Sequence, residues 1–234
     1  MGAARTAIKV TAAALDTVRR PGAGLVVLIY HRVGRRTPVE VDLPTSLFAE
    51  QMAVLAAGAD VALPVLVEHR VPVTLYVASA FLEEQRPFPD DGRPLSWRAL
   101  RDATATGLVD VGSHTHEHAL LDRLPPAAVD DELDRSITTI ADRVGITPVH
   151  FAYPKAVMGS PAADAAVRAR FVSAAVAGTR VNRYARTDPF RLARSPIQVS
   201  DGMRWFRHKL TGGMAFEDDV RRVVNRRRYA GATT

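Results

Sequence analysis

The chain has 234 residues, 47% of them hydrophobic, and a formal net charge of +6 with a sequence pI near 10.1. That length and apolar content suit one large α/β domain with a sizeable core. Cysteine is absent, which excludes disulfides, thiolate zinc sites and cysteine nucleophiles, so any metal must be held by histidine nitrogen and carboxylate oxygen.

The alanine-rich start, residues 3–18, is interrupted by Arg5, Lys9 and Asp16. It therefore offers neither a continuous apolar leader nor a membrane span. A cytoplasmic location is the default expectation, with peripheral membrane or cell-envelope contact through a surface helix as the alternative. Residues 25–30 form an unbroken apolar run and read as a buried parallel strand. Residues 46–57 read as a helix with Ser46 as its cap and Leu47, Phe48, Met52 and Leu55 along one side. A second helix is expected over 59–69, leading into a strand over 71–78. A helix capped by Ser96 follows over 97–105, then a strand over 108–112. Residues 129–144 are strongly helix-periodic and stop at Gly145. A short strand over 149–153 is closed by Pro154, and a helix over 162–170 leads to strands over 172–177 and 197–199.

Alternating strands and helices imply parallel pairing with right-handed crossovers, hence a barrel or open α/β sheet. The expected organisation is a helical extension over 1–24, the α/β domain over 25–205, and a basic helix and tail over 206–234. In that tail Glu217, Asp218 and Asp219 precede Arg221, Arg222, Arg226, Arg227 and Arg228. The order complements a helix dipole and no aromatics are interleaved, so a solvated helix is expected and no nucleic-acid partner.

Three of the seven histidines fall between residues 114 and 118, where the strand over 108–112 runs out into a loop. Strand ends of this kind hold the ligands of α/β enzymes. If the loop coils like a helical turn, His114 and His118 converge on one ion; if it stays extended, His114, His116 and His118 share a side, as in three-histidine zinc sites. Gly112-Ser113 ends the strand and favours the turn, with His116 in a supporting place. The spacing does not match a His-Glu-x-x-His protease helix, and there is no nucleophile elbow, phosphate loop or dinucleotide fingerprint.

The tract from Leu95-Ser96-Trp97 through Gly112-Ser113-His114-Thr115-His116-Glu117-His118 to Phe151-Ala152-Tyr153-Pro154 resembles the polysaccharide deacetylases of carbohydrate esterase family 4, the NodB homology family. The segments over 29–33 and 71–77 are also similar, so the likeness runs from about residue 25 to 200. The resemblance implies a distorted (β/α) barrel that removes acetyl groups, usually N-acetyl groups on amino sugars, from a glycan with one divalent metal. Zinc is the first expectation, with cobalt, nickel or manganese as alternatives. It assigns the metal to His114 and His118 and oxyanion and substrate contact to Tyr153 and Pro154; Lys155, a departure from the family pattern, is a candidate cation near the oxyanion or the sugar. His116, His31 and Arg194 are supporting candidates, Arg194 as the cation that orients a base. Lys155-Ala156 stands where the family commonly has Tyr-Gly. Trp97 and Trp205 are candidates for stacking on sugar rings.

The family's Thr-Phe-Asp-Asp-Gly segment, source of the base and the third ligand, is missing, so the catalytic base is unknown. It should fall where the helices over 46–57 and 59–69 meet, at Gly58-Ala59. Either the sequence as written omits a stretch, or the protein has lost it, or another carboxylate serves. Omission is favoured, because deleting an interior strand would strip its neighbours of hydrogen-bond partners. Asp42, Asp60 and Asp110 are the nearby substitutes, of which Asp60 and Asp110 read as structural or surface carboxylates. The family's general-acid histidine is not recognisable, and His150 and His208 read as surface or interface residues. A catalytically inactive metal- or glycan-binding member is the alternative function. Oligomeric state is not set by the sequence.

Overall fold

The computed structural model describes residues 2–35, 37–56, 66–67, 70–87 and 93–229. The Gly58-Ala59 junction, Asp60 and nearly all of the expected 59–69 helix lie outside the described residues.

Six parallel strands curl into a half-barrel in the order β1 (Val27–Ile29), β8 (Leu192–Pro196), β7 (Ser173–Ala177), β6 (His150–Ala152), β5 (Val109–Ser113) and β4 (Val73–Val77). A separate parallel pair, β2 (Arg32–Val33) and β3 (Asp42–Leu43), follows β1 in the chain. Between strands run α2 (Thr45–Ala56), α3 (Ser79–Glu83), α4 (Trp97–Thr104), α5 (Pro126–Val144) and α6 (Pro161–Arg170). Among the described residues β1 and β4 are the free edges of the sheet. The chain between them passes through Gly58-Ala59.

Helix ends follow local chemistry. Ser96 Oγ accepts the Ala99 N–H at the start of α4, and Ser160 Oγ accepts the Ala163 N–H at the start of α6. Helix α5 starts at Pro126, three residues before the expected start at residue 129, because proline suits a first helical turn whose N–H groups have no partner anyway. It ends at Gly145, whose φ of 80° takes the left-handed conformation that glycine allows.

The last strand differs from expectation. It spans Leu192–Pro196 rather than 197–199. Ile197 gives one more ladder bond, to the Ile29 carbonyl at 3.0 Å, and Val199 then opens a short 3-10 turn in which Gln198 and Asp201 cap each other. That reciprocal cap fixes the backbone in a turn, so apolar content at 197–199 does not become strand.

The core on one side of the sheet gathers Leu121, Val129, Leu133, Phe151, Tyr153, Val167 and Phe171. Helix α1 (Gly2–Val18) does not hang free. Its Ala12 packs with Trp205 and Met214, and Asp16 accepts the Met214 N–H at 2.7 Å. It lies against α8 (Ala215–Tyr229), and α7 (Gly202–Leu210) supplies Trp205. Buried Lys9 pairs with buried Asp201, which also binds buried Lys209 at 2.8 Å. Helices α1, α7 and α8 thus meet in one layer on the domain.

Candidate functional site

The site starts where β5 ends. His114 donates its backbone N–H to Val77 at 3.0 Å, continuing the β4–β5 ladder by one residue. The loop then bends through Thr115 and His118, both left-handed with φ of 65° and 60°. This is a bend and not the right-handed helical turn expected from the spacing, yet it brings the rings of His114 and His118 to 4.8 Å, edge to face. Two non-glycine residues at positive φ are costly and persist because the surroundings over-determine them.

Those surroundings are specific. Glu132, on the buried face of α5, accepts the N–H groups of His116 and Glu117 at 3.0 and 2.9 Å through one carboxylate oxygen. Thr115 Oγ1 accepts the Ala119 N–H at 3.0 Å. The carbonyl of His116 takes the Ala80 N–H of α3. Sequence reading missed Glu132, although a glutamate on the same helix face as Val129, Leu133, Ser136 and Ile140 is a visible signal of a buried polar role.

His116 turns away from the pair. Its Nδ1 lies 2.8 Å from Ser79 Oγ and its Nε2 2.8 Å from an Arg135 nitrogen. Guanidinium only donates, so Nε2 is the acceptor, and Nδ1 carries the hydrogen toward Ser79. With both nitrogens used, His116 supports the loop and leaves no lone pair for an ion.

His114 is different. Its Nδ1 lies 2.6 Å from the carbonyl of Ala152 at the end of β6. A carbonyl only accepts, so the ring donates from Nδ1 and its lone pair sits on Nε2, the tautomer found in metal-ligating histidines. Burial, first, and then the neighbouring His118 lower its pKa to about 3, outweighing the Ala152 hydrogen bond that raises it. The pKa of His118 is lowered too, by burial and then by Lys155. Both imidazoles are therefore neutral at physiological pH, the form that binds metals.

His31, two residues beyond β1, stands at the rim. Solvent reaches the residue, but crowding of the ring, followed by the charges of Arg194, Arg32 and His118, lowers its pKa to about 4. Arg194 lies within β8 and is buried. Its guanidinium stacks over the Tyr76 ring at 5.0 Å, and its Nε has no hydrogen-bond partner. Burial lowers its pKa to about 10, so it stays charged at neutral pH.

Tyr153 lies wholly in the core rather than on a groove wall. Its hydroxyl donates to Asp164 at 3.1 Å and its ring packs edge-on against Phe151 at 5.0 Å. Pro154 is buried at the start of a 3-10 turn; Lys155 is exposed and left-handed, with φ of 48°. Ala156 follows at φ 58°. Trp205 is buried beneath α1 instead of facing an open groove, and Trp97 bonds Glu83 through its indole N–H at 2.9 Å. Asp42 is buried and holds the N–H groups of Arg35 and Thr37. Asp110 and His150 sit together near the opposite, amino-terminal ends of β5 and β6, with His150 Nδ1 2.8 Å from Ser173 Oγ. His208 stacks near Trp205 at 5.7 Å.

The residues fit a divalent ion in part. His114 and His118 offer neutral nitrogen donors side by side, but among the described residues no third histidine, aspartate or glutamate joins them in a metal-sized group. A catalytic ion needs about three protein ligands.

A parallel half-barrel with ligand-type side chains gathered at the carboxyl ends of its strands defines an α/β-barrel protein with its site at the usual face. The polysaccharide deacetylase family model matches residues 53–173, more than half of the chain, and the chain belongs to that family. Its fold is shared with IcaB from Ammonifex degensii (TM-score 0.66, 21% identity, covering 81% of this chain and 98% of that one). It is also shared with the Streptococcus pyogenes deacetylase PplD, solved with acetate (TM-score 0.64, 14% identity, 79% and 98% covered). A polysaccharide deacetylase from Bacillus cereus superposes with a TM-score of 0.67 at 15% identity, covering 80% of this chain and 69% of that one. No curated protein matches the sequence. The family and the distorted barrel expected from the motifs are both met.

Proposed function

We propose that this protein removes acetyl groups, N-acetyl groups of amino sugars foremost, from a glycan, with a divalent ion, zinc first, bound by His114 and His118. The carrying observation is the Nδ1 contact from His114 to the Ala152 carbonyl at 2.6 Å, which turns the Nε2 lone pair away from the backbone. A bound divalent ion supplies an acidified water and a polarised acetyl carbonyl. The chain's own residues hold the two imidazoles neutral, and Arg194 presents a buried cation that suits a carboxylate base. On the reading that the sequence omits a stretch, that carboxylate would lie in the segment expected at the Gly58-Ala59 junction.

A second reading, a glycan- or metal-binding protein without catalysis, is favoured by one observation: among the described residues no third histidine or carboxylate completes a metal-binding group with the histidine pair. One assay separates the two. Zinc-loaded protein is incubated with acetylated chitooligosaccharides and acetylated xylan, and released acetate is measured alongside intact mass. Release that His114→Ala abolishes supports the deacetylase. No release from a protein whose mass equals 25.4 kDa selects the binding reading.

A further inference from the structure

Helix α1 is built inside out for a surface helix. Its three charged side chains all serve contacts to the body: Arg5 pairs with Glu40 at 3.3 Å, Lys9 with Asp201, and Asp16 accepts the Met214 N–H. Residues 3, 7, 10, 14 and 18 recur every three or four positions on the opposite side. They are Ala3, Ala7, Val10, Ala14 and Val18, all exposed, with Val10 at 47% and Val18 at 82%. No charge interrupts that stripe. Helix α8, packed against α1, adds exposed Phe216, Val223 and Val224. Nearly half of the exposed large hydrophobics among the described residues thus lie on two contacting helices.

Arginine predominates among the charges around this face. Arg19 and Arg20 follow α1 directly and are exposed. The acids of α8 are engaged near its start: Glu217 lies 3.4 Å from Lys209, and Asp218 and Asp219 pair with Arg180. Beyond Asp219 the sequence holds Arg221, Arg222, Arg226, Arg227 and Arg228 and no acid. Apolar side chains flanked by arginine suit the boundary of an anionic bilayer, where valines enter the headgroup region and guanidinium groups meet lipid phosphates. No helix among the described residues is long and apolar enough to cross a membrane, so the contact is one of lying on the surface.

We propose that the α1–α8 face docks the protein on an anionic lipid surface, peripherally. A second copy of the chain is the competing occupant, because exposed valines also suit a dimer. The probe is co-sedimentation of the whole protein with vesicles of phosphatidylglycerol and phosphatidylcholine, against pure phosphatidylcholine vesicles. The expected result is binding to the anionic vesicles that weakens with salt and drops at least about tenfold in Val10→Glu/Val18→Glu. Arg226→Glu/Arg227→Glu/Arg228→Glu should weaken it comparably. Both variants change exposed or terminal positions, and an unchanged melting temperature verifies their folding. No partition onto anionic vesicles, equal binding to neutral ones, or full binding by either variant overturns the proposal. Light scattering that shows a dimer abolished by Val10→Glu/Val18→Glu, without vesicle binding, assigns the face to a second copy and overturns it too.

Discussion

The Ala152 carbonyl fixes the tautomer of His114. At 2.6 Å from Nδ1 it accepts the ring hydrogen, and the outward Nε2 keeps its lone pair. The strand β6 thereby orients a side chain that belongs to the end of β5, a pairing of neighbouring parallel strands that resembles the carbonyl support of metal-bound histidines. His114→Ala is expected to lower zinc affinity by more than about 100-fold, measured by titration calorimetry, with His118→Ala close behind. Unaltered affinity in either variant would remove the pair as the ion's ligands.

The same burial sets a pH dependence. A histidine whose folded pKa is depressed is protonated more readily in the unfolded chain, so stability rises with pH between the two values. For His114 that window runs from about 3 in the folded protein to the ordinary 6.5. The stabilising contribution is complete above 6.5 and is lost as the pH falls through the window. Melting temperature measured from pH 7 to 4 should fall less steeply in His114→Gln than in the parent. Parallel curves would contradict the burial argument.

Glu132 holds the histidine loop by two backbone N–H groups on one oxygen. Glu132→Ala leaves two buried donors without partners and should cost about 2–4 kcal/mol in denaturant unfolding. Glu132→Gln keeps the acceptor, loses the charge, and should cost about 1–2 kcal/mol. Zinc affinity should weaken in both, since the bend through Thr115 and His118 loses its support.

Ala156 sits at φ 58°, where an L side chain crowds the following carbonyl. Glycine takes that conformation freely, so Ala156→Gly should stabilise the fold by about 0.5–1 kcal/mol after its larger unfolded-state entropy is counted. A melting temperature unchanged or lowered by this substitution would show that the turn after Pro154 is held without strain.

Asp201 binds two buried lysines, Lys9 from α1 and Lys209 from α7. Asp201→Asn leaves Lys9 uncompensated and Lys209 with Glu217 alone, at 3.4 Å, and should cost about 3–5 kcal/mol, whereas Lys9→Met leaves Asp201 paired with Lys209 and should cost less. Chemical unfolding of the two variants checks the order.

Much of this molecule is legible in its residue order. Apolar runs, Ser96 and Gly145 mark strands and helix ends because those signals act within a few residues, while Ser46, read as a cap, lies inside α2. The histidine spacing and the Phe-Ala-Tyr-Pro motif pointed to the family and the barrel. Other features depend on partners distant in sequence. Tyr153 faces the core because Asp164 and Phe151 receive it, and Arg194 on β8 is buried with its guanidinium over the ring of Tyr76 on β4. His116 is taken from the site by Ser79 and Arg135, neither of which spacing within the cluster reveals.

The sequence by itself determined the donor chemistry, nitrogen and oxygen without sulfur, and the alternation that makes a parallel sheet. Only the tertiary structure decided which histidines stand together, which tautomer His114 holds, and which side of α1 meets the protein. Composition and periodicity are local properties of the chain. Burial, hydrogen-bond satisfaction and the direction of a charged side chain are set by what packs against it, and that is fixed only when the strands and helices are in place.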